Sequence, residues 1–199
     1  MEDETGDQRR REAALRHLGP LAYNHRYPML PFRWYKDALP IWIRALLFAL
    51  VAPGAVAVLF PYLLLSLDWE WERLSLGMAR FVGLAFMLAG GLSYLGCLRE
   101  FVSRGRGTPS PFDPPQKLVT AGLYRFVRNP MYVTVGCFLI GEILFFESLL
   151  LLGFLLFLWL DFHLFVVFYE EPTLKRNFGS AYDEYLRKVP RWVPRLRER

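Results

Sequence analysis

Two polar stretches of the chain carry the side chains that could do chemistry, and each adjoins a long apolar segment. The first, Lys117 to Tyr132, leads directly into apolar residues. Pro130 suits the first residue of a helix and Asn129 suits its cap, so backbone amides and Arg128 are predicted to face a small anionic group there. The alternative is a plain helix cap with tyrosine and arginine anchors at a membrane surface.

The second stretch begins with the adjacent acids Glu170 and Glu171, where another apolar segment ends. Consecutive helical residues point about 100° apart, so the two carboxylates should meet different surroundings. His163 precedes Glu170 by nearly two helical turns, which places these two side chains on one face. We therefore predict that Glu170 faces a site and that Glu171 turns toward water or Lys175.

Ionisable side chains also occur inside the apolar segments, where they are costly and by default face a bundle interior or a cavity. Glu142, Asp161 and His163 are the candidates, although Asp161 lies away from the face that carries His163. These residues predict a lined pocket. The alternative is that the ionisable groups pair among themselves and have no catalytic role.

The elements that must position these groups are apolar blocks, and hydrophobic residues make up 54% of the 199-residue chain. A hydrocarbon core about 30 Å thick takes roughly 20 helical residues to cross. The last two blocks predict a hairpin, because only Glu147 and Ser148 separate them. The third block is short, so it crosses the whole membrane only if Tyr124–Arg128 lengthens the helix or the bilayer is locally thinner. The four blocks are Ile41–Leu67, Leu76–Leu98, Met131–Phe146 and Leu149–Tyr169.

Proline and glycine residues predict the shape and the packing of the first two apolar blocks. Proline breaks the first block at two places, which predicts a kinked helix. The second block is rich in glycine, which predicts close packing against another helix. These residues are Pro53, Gly54 and Pro61 in the first block and Gly83, Gly90, Gly91 and Gly96 in the second.

The basic residues predict the topology. The net charge is +5, and lysine and arginine cluster before the first block, between the second and third, and after the fourth. Short cytoplasmic segments collect these residues, so four spans place all three segments, and both termini, in the cytoplasm. The acidic residues Asp68, Glu70 and Glu72 then lie on the opposite face. Membrane lipids are the predicted partners and nucleic acid is not, since no nucleic-acid-binding motif is present.

The sequence thus predicts an all-α, polytopic transmembrane helix bundle of about four spans. Residues 1–40 are predicted to be a polar tail and an interfacial segment without a cleaved signal peptide, residues 41–98 two spans, and residues 99–199 a core. This core comprises a cytoplasmic loop around the proline-rich run Arg104–Pro115, the hairpin and a C-terminal cytoplasmic segment. Cys97 and Cys137 lack partners at ligand spacing, so no metal site is predicted.

The stretch KLVTAGLYRFVRNPMY before the hairpin, paired with EEPTLKRNFGSAYDEYLRKVPRWVP after it, resembles the isoprenylcysteine carboxyl methyltransferase and phospholipid methyltransferase superfamily of membrane enzymes. The resemblance covers Thr108 to Pro194. It implies S-adenosyl-L-methionine as methyl donor and a lipidic or membrane-partitioned small acceptor. The cofactor pocket would lie where the ends of the hairpin meet the C-terminal segment. Such a transfer needs an in-line nucleophile and exclusion of water more than an acid or a base.

The residues and the resemblance together predict a set of site residues in this chain. Catalytic roles fall to Arg128, Asn129 and Glu170. The substrate pocket falls to Glu142 and His163, because they are ionisable groups inside apolar segments, and to Val166, at a position where the resemblance implies a substrate contact. Carried over residue by residue, the resemblance implies that the cofactor-binding residues are Gln116, Lys117, Leu118, Val119, Tyr124, Asn129, Pro130, Met131, Tyr132 and Glu170.

Three departures from the family pattern bear on the activity. Asn129 stands where many members have histidine, Thr134 replaces a frequent glycine, and Val166 stands where the eukaryotic carboxyl-methylating members have an arginine. The resemblance implies carboxyl O-methylation, and methylation of a phospholipid amine or a hydrophobic thiol stays open beside it. A non-catalytic membrane scaffold or transport subunit is the rival of a different class, and the intact motif residues argue against it. The oligomeric state is not indicated.

Overall fold

The computed structural model describes residues 38–67, 74–111 and 113–193. The chain divides into two compact units, Met1–Ala38 and Leu39–Arg199, and the second carries the long helices. Nearly all of the predicted N-terminal tail lies outside the described residues, as do Asp68, Glu70 and Glu72. Within the described part, every regular element is a helix, which confirms the predicted all-α class.

Five helices organise the second unit. Three of them, α1, α2 and α4, are long and apolar enough to cross a membrane. The fourth apolar helix, α3, has 17 residues and is about 25 Å long, which is less than a typical hydrocarbon core. The helices are α1 (Ile41–Leu67), α2 (Gly77–Gly105), α3 (Pro130–Phe146), α4 (Leu149–Phe178) and α5 (Ser180–Lys188).

The segment before α3 does not lengthen it. Gly122–Arg125 forms a separate 3₁₀ turn, and Asn129 leaves helical geometry with φ −118° and ψ 55°. Pro130 follows as the predicted first helical residue, where its missing N–H has no helical partner to lose. A full crossing by α3 therefore depends on a locally thinner bilayer.

All three long helices contain π-helical turns, and that of α2 comprises its last five residues, Phe101–Gly105. In α1 the residues Ala55–Leu59 adopt this geometry just after Pro53, which cannot donate the usual backbone hydrogen bond. In α4 the residues Val166–Glu170 do so, directly before Glu171. A π-helical turn holds more residues than an α-helical one and changes the facing of every residue beyond it.

The antiparallel helices α2 and α3 pack closely through glycine. A Cβ at Gly83 would lie 2.4 Å from the carbonyl oxygen of Gly141, and one at Gly90 would lie 2.7 Å from the amide nitrogen of Phe138. These contacts confirm the predicted packing role of the second block, although Gly96 meets nothing within 4 Å. They also fix which turn of α2 lies beside which turn of α3.

The predicted hairpin joins α3 and α4 through a two-residue turn. Glu147 adopts a left-handed conformation with φ 57°, and the Ser148 hydroxyl accepts a hydrogen bond from the Leu151 amide at 3.4 Å. The residue that directly precedes α2 docks on this turn, because the Leu76 amide donates to the Glu147 carboxylate at 2.9 Å. This hydrogen bond attaches the hairpin turn to the beginning of α2.

The loop after α2 is irregular, as its prolines predict. It is held to α1 by a buried ion pair between Arg44 and Asp113 at 2.7 Å. At its end, the amides of Gln116 and Lys117 donate to the Gly105 carbonyl at 2.8 and 3.2 Å. The loop therefore delivers residues 116–119 to the same end of the bundle at which α3 begins.

Candidate active site

The start of α3 and the end of α4 meet through a tyrosine and a carboxylate. The Tyr132 hydroxyl donates to Oε2 of Glu170 at 2.8 Å, and the Phe162 ring packs on Tyr132 with ring centroids 4.6 Å apart. The structure thus brings the two polar stretches of the sequence together at one point. A hydroxyl bonded to a carboxylate under an aromatic ring offers both charge and hydrogen bonding to a polar ligand.

Glu171 joins the same region through two arginines. Arg128 Nη1 binds its Oε1 at 2.8 Å, while Arg191 binds Oε1 through Nε at 2.7 Å and Oε2 through Nη2 at 2.8 Å. The hydrogen bond to Glu171 raises the pKa of the Arg191 guanidinium above its ordinary value. We call the three residues Arg128, Glu171 and Arg191 the arginine clamp.

The prediction that Glu171 turns toward water or Lys175 is wrong. The π-helical turn Val166–Glu170 changes the facing of the residues that follow, and the C-terminal segment returns to supply Arg191. Lys175 instead pairs with Asp183 of α5 at 3.0 Å. Both acids of the pair are therefore engaged, with different partners.

The C-terminal segment closes one side of the site. The Arg128 amide donates to the Pro190 carbonyl at 2.8 Å, and Asn129 Nδ2 donates to the Arg191 carbonyl at 3.3 Å. Asn129 occupies the predicted N-cap position of α3, but its side chain makes no capping hydrogen bond to the helix. The Asn129 side chain binds the C-terminal segment instead, so it does not point toward the free amides at the start of α3.

Trp192 covers the aromatic side of the site. Its indole N–H donates to Nδ1 of His163 at 3.1 Å, and its ring lies 4.9 Å from Trp159 and 6.3 Å from Tyr132. His163 therefore reaches the region of Tyr132 through Trp192. Sequence reasoning gave no role to Trp192 or Arg191, although both belong to the C-terminal stretch that carries the resemblance.

A buried cluster supports the site from the side of α2. Val119 and Tyr124 pack with Cys97, and Phe101 and Met131 complete this group. Burial raises the pKa of the Tyr124 phenol, and the nearby Cys97 thiol and Glu170 carboxylate add to the shift. Three predicted cofactor residues, Val119, Tyr124 and Met131, thus lie together beside Glu170.

A second cluster attaches α5 to this end of the bundle. Leu118 packs against Tyr182, Tyr185 and Val189. The Tyr185 hydroxyl donates to the Tyr124 carbonyl at 2.6 Å, and burial raises the pKa of Tyr182 to about 12. The tyrosines of α5 therefore hold the 3₁₀ turn in place and stay protonated at neutral pH.

The remaining predicted site residues lie in different surroundings. Gln116 and Lys117 have exposed side chains, and their amides are already bonded to Gly105. Val166 is fully buried. Glu142 lies about 15 Å along α3 from Tyr132, buried, with its Oε2 unpaired within the described part of the chain. Its place in a substrate pocket stays a prediction.

An apolar cavity of about 400 Å³ lies between α2 and α3, on the face of α3 opposite Tyr132. Neither the arginine clamp nor Glu170 lines it, so it is separate from the polar cluster. Its lining residues are Ala89, Gly90, Ser93, Leu123, Phe126, Val127, Pro130, Val133, Thr134 and Cys137.

Comparison with protein families gives a match to most of this region. The family model described as phospholipid methyltransferase matches residues 78–181, which is just over half of the chain. The match begins in α2 and ends in α5. It therefore includes Tyr132, Glu170 and Glu171, and it stops before Arg191.

Curated relatives are similar over longer stretches. Methanethiol S-methyltransferase 2 of Bradyrhizobium diazoefficiens is 28% identical over 185 residues, covering 82% of this chain and 64% of that protein. A probable protein-S-isoprenylcysteine O-methyltransferase of Oryza sativa subsp. japonica is 28% identical over 160 residues, covering 77% of this chain and 75% of that protein. Protein-S-isoprenylcysteine O-methyltransferase of Schizosaccharomyces pombe is 37% identical over 78 residues, 39% of this chain and 33% of that protein. The chain spans less than two thirds of the length of the first of these relatives.

Proposed function

We propose that this chain, which belongs to the phospholipid methyltransferase family, transfers a methyl group from S-adenosylmethionine to a small acceptor that partitions into the membrane. The helices α1, α2 and α4 and the family make it an integral membrane protein. The observation that carries the proposal is the hydrogen bond between Tyr132 and Glu170. It joins the two polar stretches, 38 residues apart, into one site at the end of the bundle.

The residues of this site fit a sulfonium nucleoside. Glu170 offers a carboxylate to ribose hydroxyls or to an ammonium group, since Tyr132 is its one hydrogen-bond donor in the described chain. Tyr124, Val119 and Met131 offer apolar surface to a base. Aromatic rings such as Tyr132 and Trp192 attract a cation by cation–π contact.

Methyl transfer needs little acid–base chemistry from the chain. When bound, S-adenosylmethionine supplies a methyl group whose bond to sulfur breaks, with the electron pair kept by sulfur, while a lone pair of the acceptor forms the new bond. The protein orients the acceptor and excludes water. Glu170 is placed to take the proton that a thiol or an amine loses, because one of its oxygens is not held by Tyr132.

The charges around Glu170 favour a thiol or amine acceptor over a carboxylate. Both nearby arginines, Arg128 and Arg191, are occupied by Glu171, and Val166 is a buried apolar residue. A carboxylate acceptor would thus face the like charge of Glu170, while both guanidinium groups of the site already donate to Glu171, although Nε of Arg128 has no partner among the described residues. Carboxyl O-methylation remains the second candidate, because the relatives from Oryza sativa and Schizosaccharomyces pombe carry that name.

Binding and transfer are tested separately on purified protein in detergent. We expect S-adenosylmethionine to bind in the micromolar range by titration calorimetry, about −8 kcal/mol. We expect deuterated methyl label to pass to a phospholipid amine or a long-chain thiol, and not to a farnesylated cysteine carboxylate, when the three probes are compared by mass spectrometry. Folded protein that binds no S-adenosylmethionine at millimolar concentration would instead support a non-catalytic scaffold or transport subunit. Label in the farnesylated probe would establish the second candidate.

We also propose that both termini and the loop after α2 face the cytoplasm, on the strength of their lysine and arginine content. A reporter inserted at the exposed Arg106 is then expected to show cytoplasmic activity, and one at the exposed Ser75 the opposite. A cytoplasmic signal at Ser75 would rule out the four-span topology. The assignment of residues 99–199 as the methyltransferase core is part of the same proposal.

A further inference from the structure

Helix α2 contributes a tyrosine to the site that lies outside both motif stretches. The Tyr94 hydroxyl oxygen is buried and makes no hydrogen bond to any described residue. Buried hydroxyls almost always have a partner, because leaving one unpaired costs free energy. An unpaired hydroxyl beside a proposed binding site therefore requires an explanation.

The packing of α2 on α3 places Tyr94 at the level of Tyr132. Gly90 lies against Thr134 and Phe138, and α2 and α3 are antiparallel, so one turn further along α2 faces the first turn of α3. Tyr94 packs against the cluster that contains Val135 and Leu139, and these residues follow Tyr132 by three and seven positions, so they share its face of α3. The hydroxyl thus approaches the site from α2, whereas Glu170 approaches it from α4.

The surroundings of Tyr94 are apolar. It packs against the cluster of Val135, Leu139 and Leu158 in the interior of the bundle. The polar groups of the site lie instead at the end of α4, on the C-terminal segment and, for Arg128 of the arginine clamp, just before α3. The site therefore has a charged side and an apolar side, and Tyr94 belongs to the apolar side.

The separation of a charged side from an apolar side determines which part of the methyl donor would contact the Tyr94 hydroxyl. The amino-acid and ribose groups require charged and polar partners, which the side with Glu170 supplies. The sulfonium and its methyl group must face the apolar side, from which a membrane-partitioned acceptor arrives. A polarised methyl C–H next to a cation is a donor to oxygen lone pairs, and the hydroxyl of Tyr94 has such lone pairs free.

We propose that the Tyr94 hydroxyl binds the sulfonium methyl group of the donor and holds it toward the acceptor. The inference rests on the proposed function. It adds a binding residue from α2 to a site otherwise built by the hairpin and the C-terminal segment. Its chemical signature is selectivity, because S-adenosylhomocysteine has neither the positive charge nor the methyl group.

The test compares the two ligands by titration calorimetry on wild type and on Tyr94→Phe in detergent. Tyr94→Phe should weaken S-adenosylmethionine binding by about two- to fivefold, the range for one C–H···O contact, and leave S-adenosylhomocysteine unchanged. Tyr62→Phe, on α1 with 66% of the residue exposed, is the matched control and should change neither. An equal loss for both ligands would show a structural role and overturn the proposal, as would no change at all.

A spectroscopic measurement on the wild type stands independently of the variant's folding. With donor labelled with carbon-13 at the methyl group, a methyl C–H bound to oxygen is expected to resonate downfield of the free ligand, and Tyr94→Phe should remove the shift. A wild-type methyl resonance without that shift would overturn the role of Tyr94 while leaving the proposed function intact. If the folded wild type binds neither ligand, the proposed function fails and this inference fails with it.

Discussion

Glu171→Gln is expected to destabilise the protein by about 2–4 kcal/mol, because it leaves two arginines without their shared carboxylate. The side chains of Arg128 and Glu171 are only 12% and 17% exposed, so the loss is close to that of a buried pair. Arg191 is 31% exposed, and water compensates part of its loss. Chemical denaturation in detergent, followed by circular dichroism, measures the difference.

The same substitution is expected to release the C-terminal segment. Glu171 is the side-chain anchor of Arg191, and the carbonyl groups of Pro190 and Arg191 accept hydrogen bonds from Arg128 and Asn129, the two residues before α3. Loss of this attachment exposes the site to water, so we expect methyl transfer to fall by about 100-fold or more.

Asp183→Asn is the matched control for Glu171→Gln, since it also converts an acid to its amide beside a cation. Its ion pair with Lys175 is 43% and 61% exposed at the two side chains, so its loss should cost about 0–1 kcal/mol. Equal denaturation midpoints for wild type and Glu171→Gln would show that the arginine clamp does not hold the fold together.

Glu170→Gln is expected to weaken S-adenosylmethionine binding by about ten- to a hundredfold with little loss of stability. Glutamine keeps an oxygen that accepts from Tyr132, so the local packing is preserved, but it removes the charge that strengthens hydrogen bonds to the ligand. A charge-assisted hydrogen bond contributes about 1.5–3 kcal/mol, which corresponds to that change in the dissociation constant. Titration calorimetry on folded variants gives the value.

The control for Glu170→Gln is Glu184→Gln, which makes the same substitution at an exposed carboxylate of α5 that pairs with Lys188. It should leave the dissociation constant near the wild-type value. A stronger effect of Glu184→Gln than of Glu170→Gln would place the ligand away from Tyr132. The two adjacent acids are therefore expected to have different roles: Glu170 contributes to ligand binding and Glu171 to the stability of the fold.

The helices and the family can be predicted from apolar patterning and from the order of the motifs. Apolar blocks near the length of a bilayer predict spans without any knowledge of packing, because unpaired backbone groups are too costly in lipid. The hairpin turn at Glu147 and the helix start at Pro130 follow from local chemistry, and both were predicted. The order of the two polar stretches indicated the family that the match over residues 78–181 shows.

The partners of the polar residues depend on how the helices pack in three dimensions. A regular α-helical phase predicts that Glu171 faces water, but the π-helical turn Val166–Glu170 and the returning Arg191 change its surroundings. The contact of Asn129 with the Arg191 carbonyl, and the packing of Tyr94 against the cluster of Val135 and Leu139, likewise join residues far apart in the chain. Helical periodicity describes one helix at a time, whereas these contacts depend on how several helices and the C-terminal segment pack together.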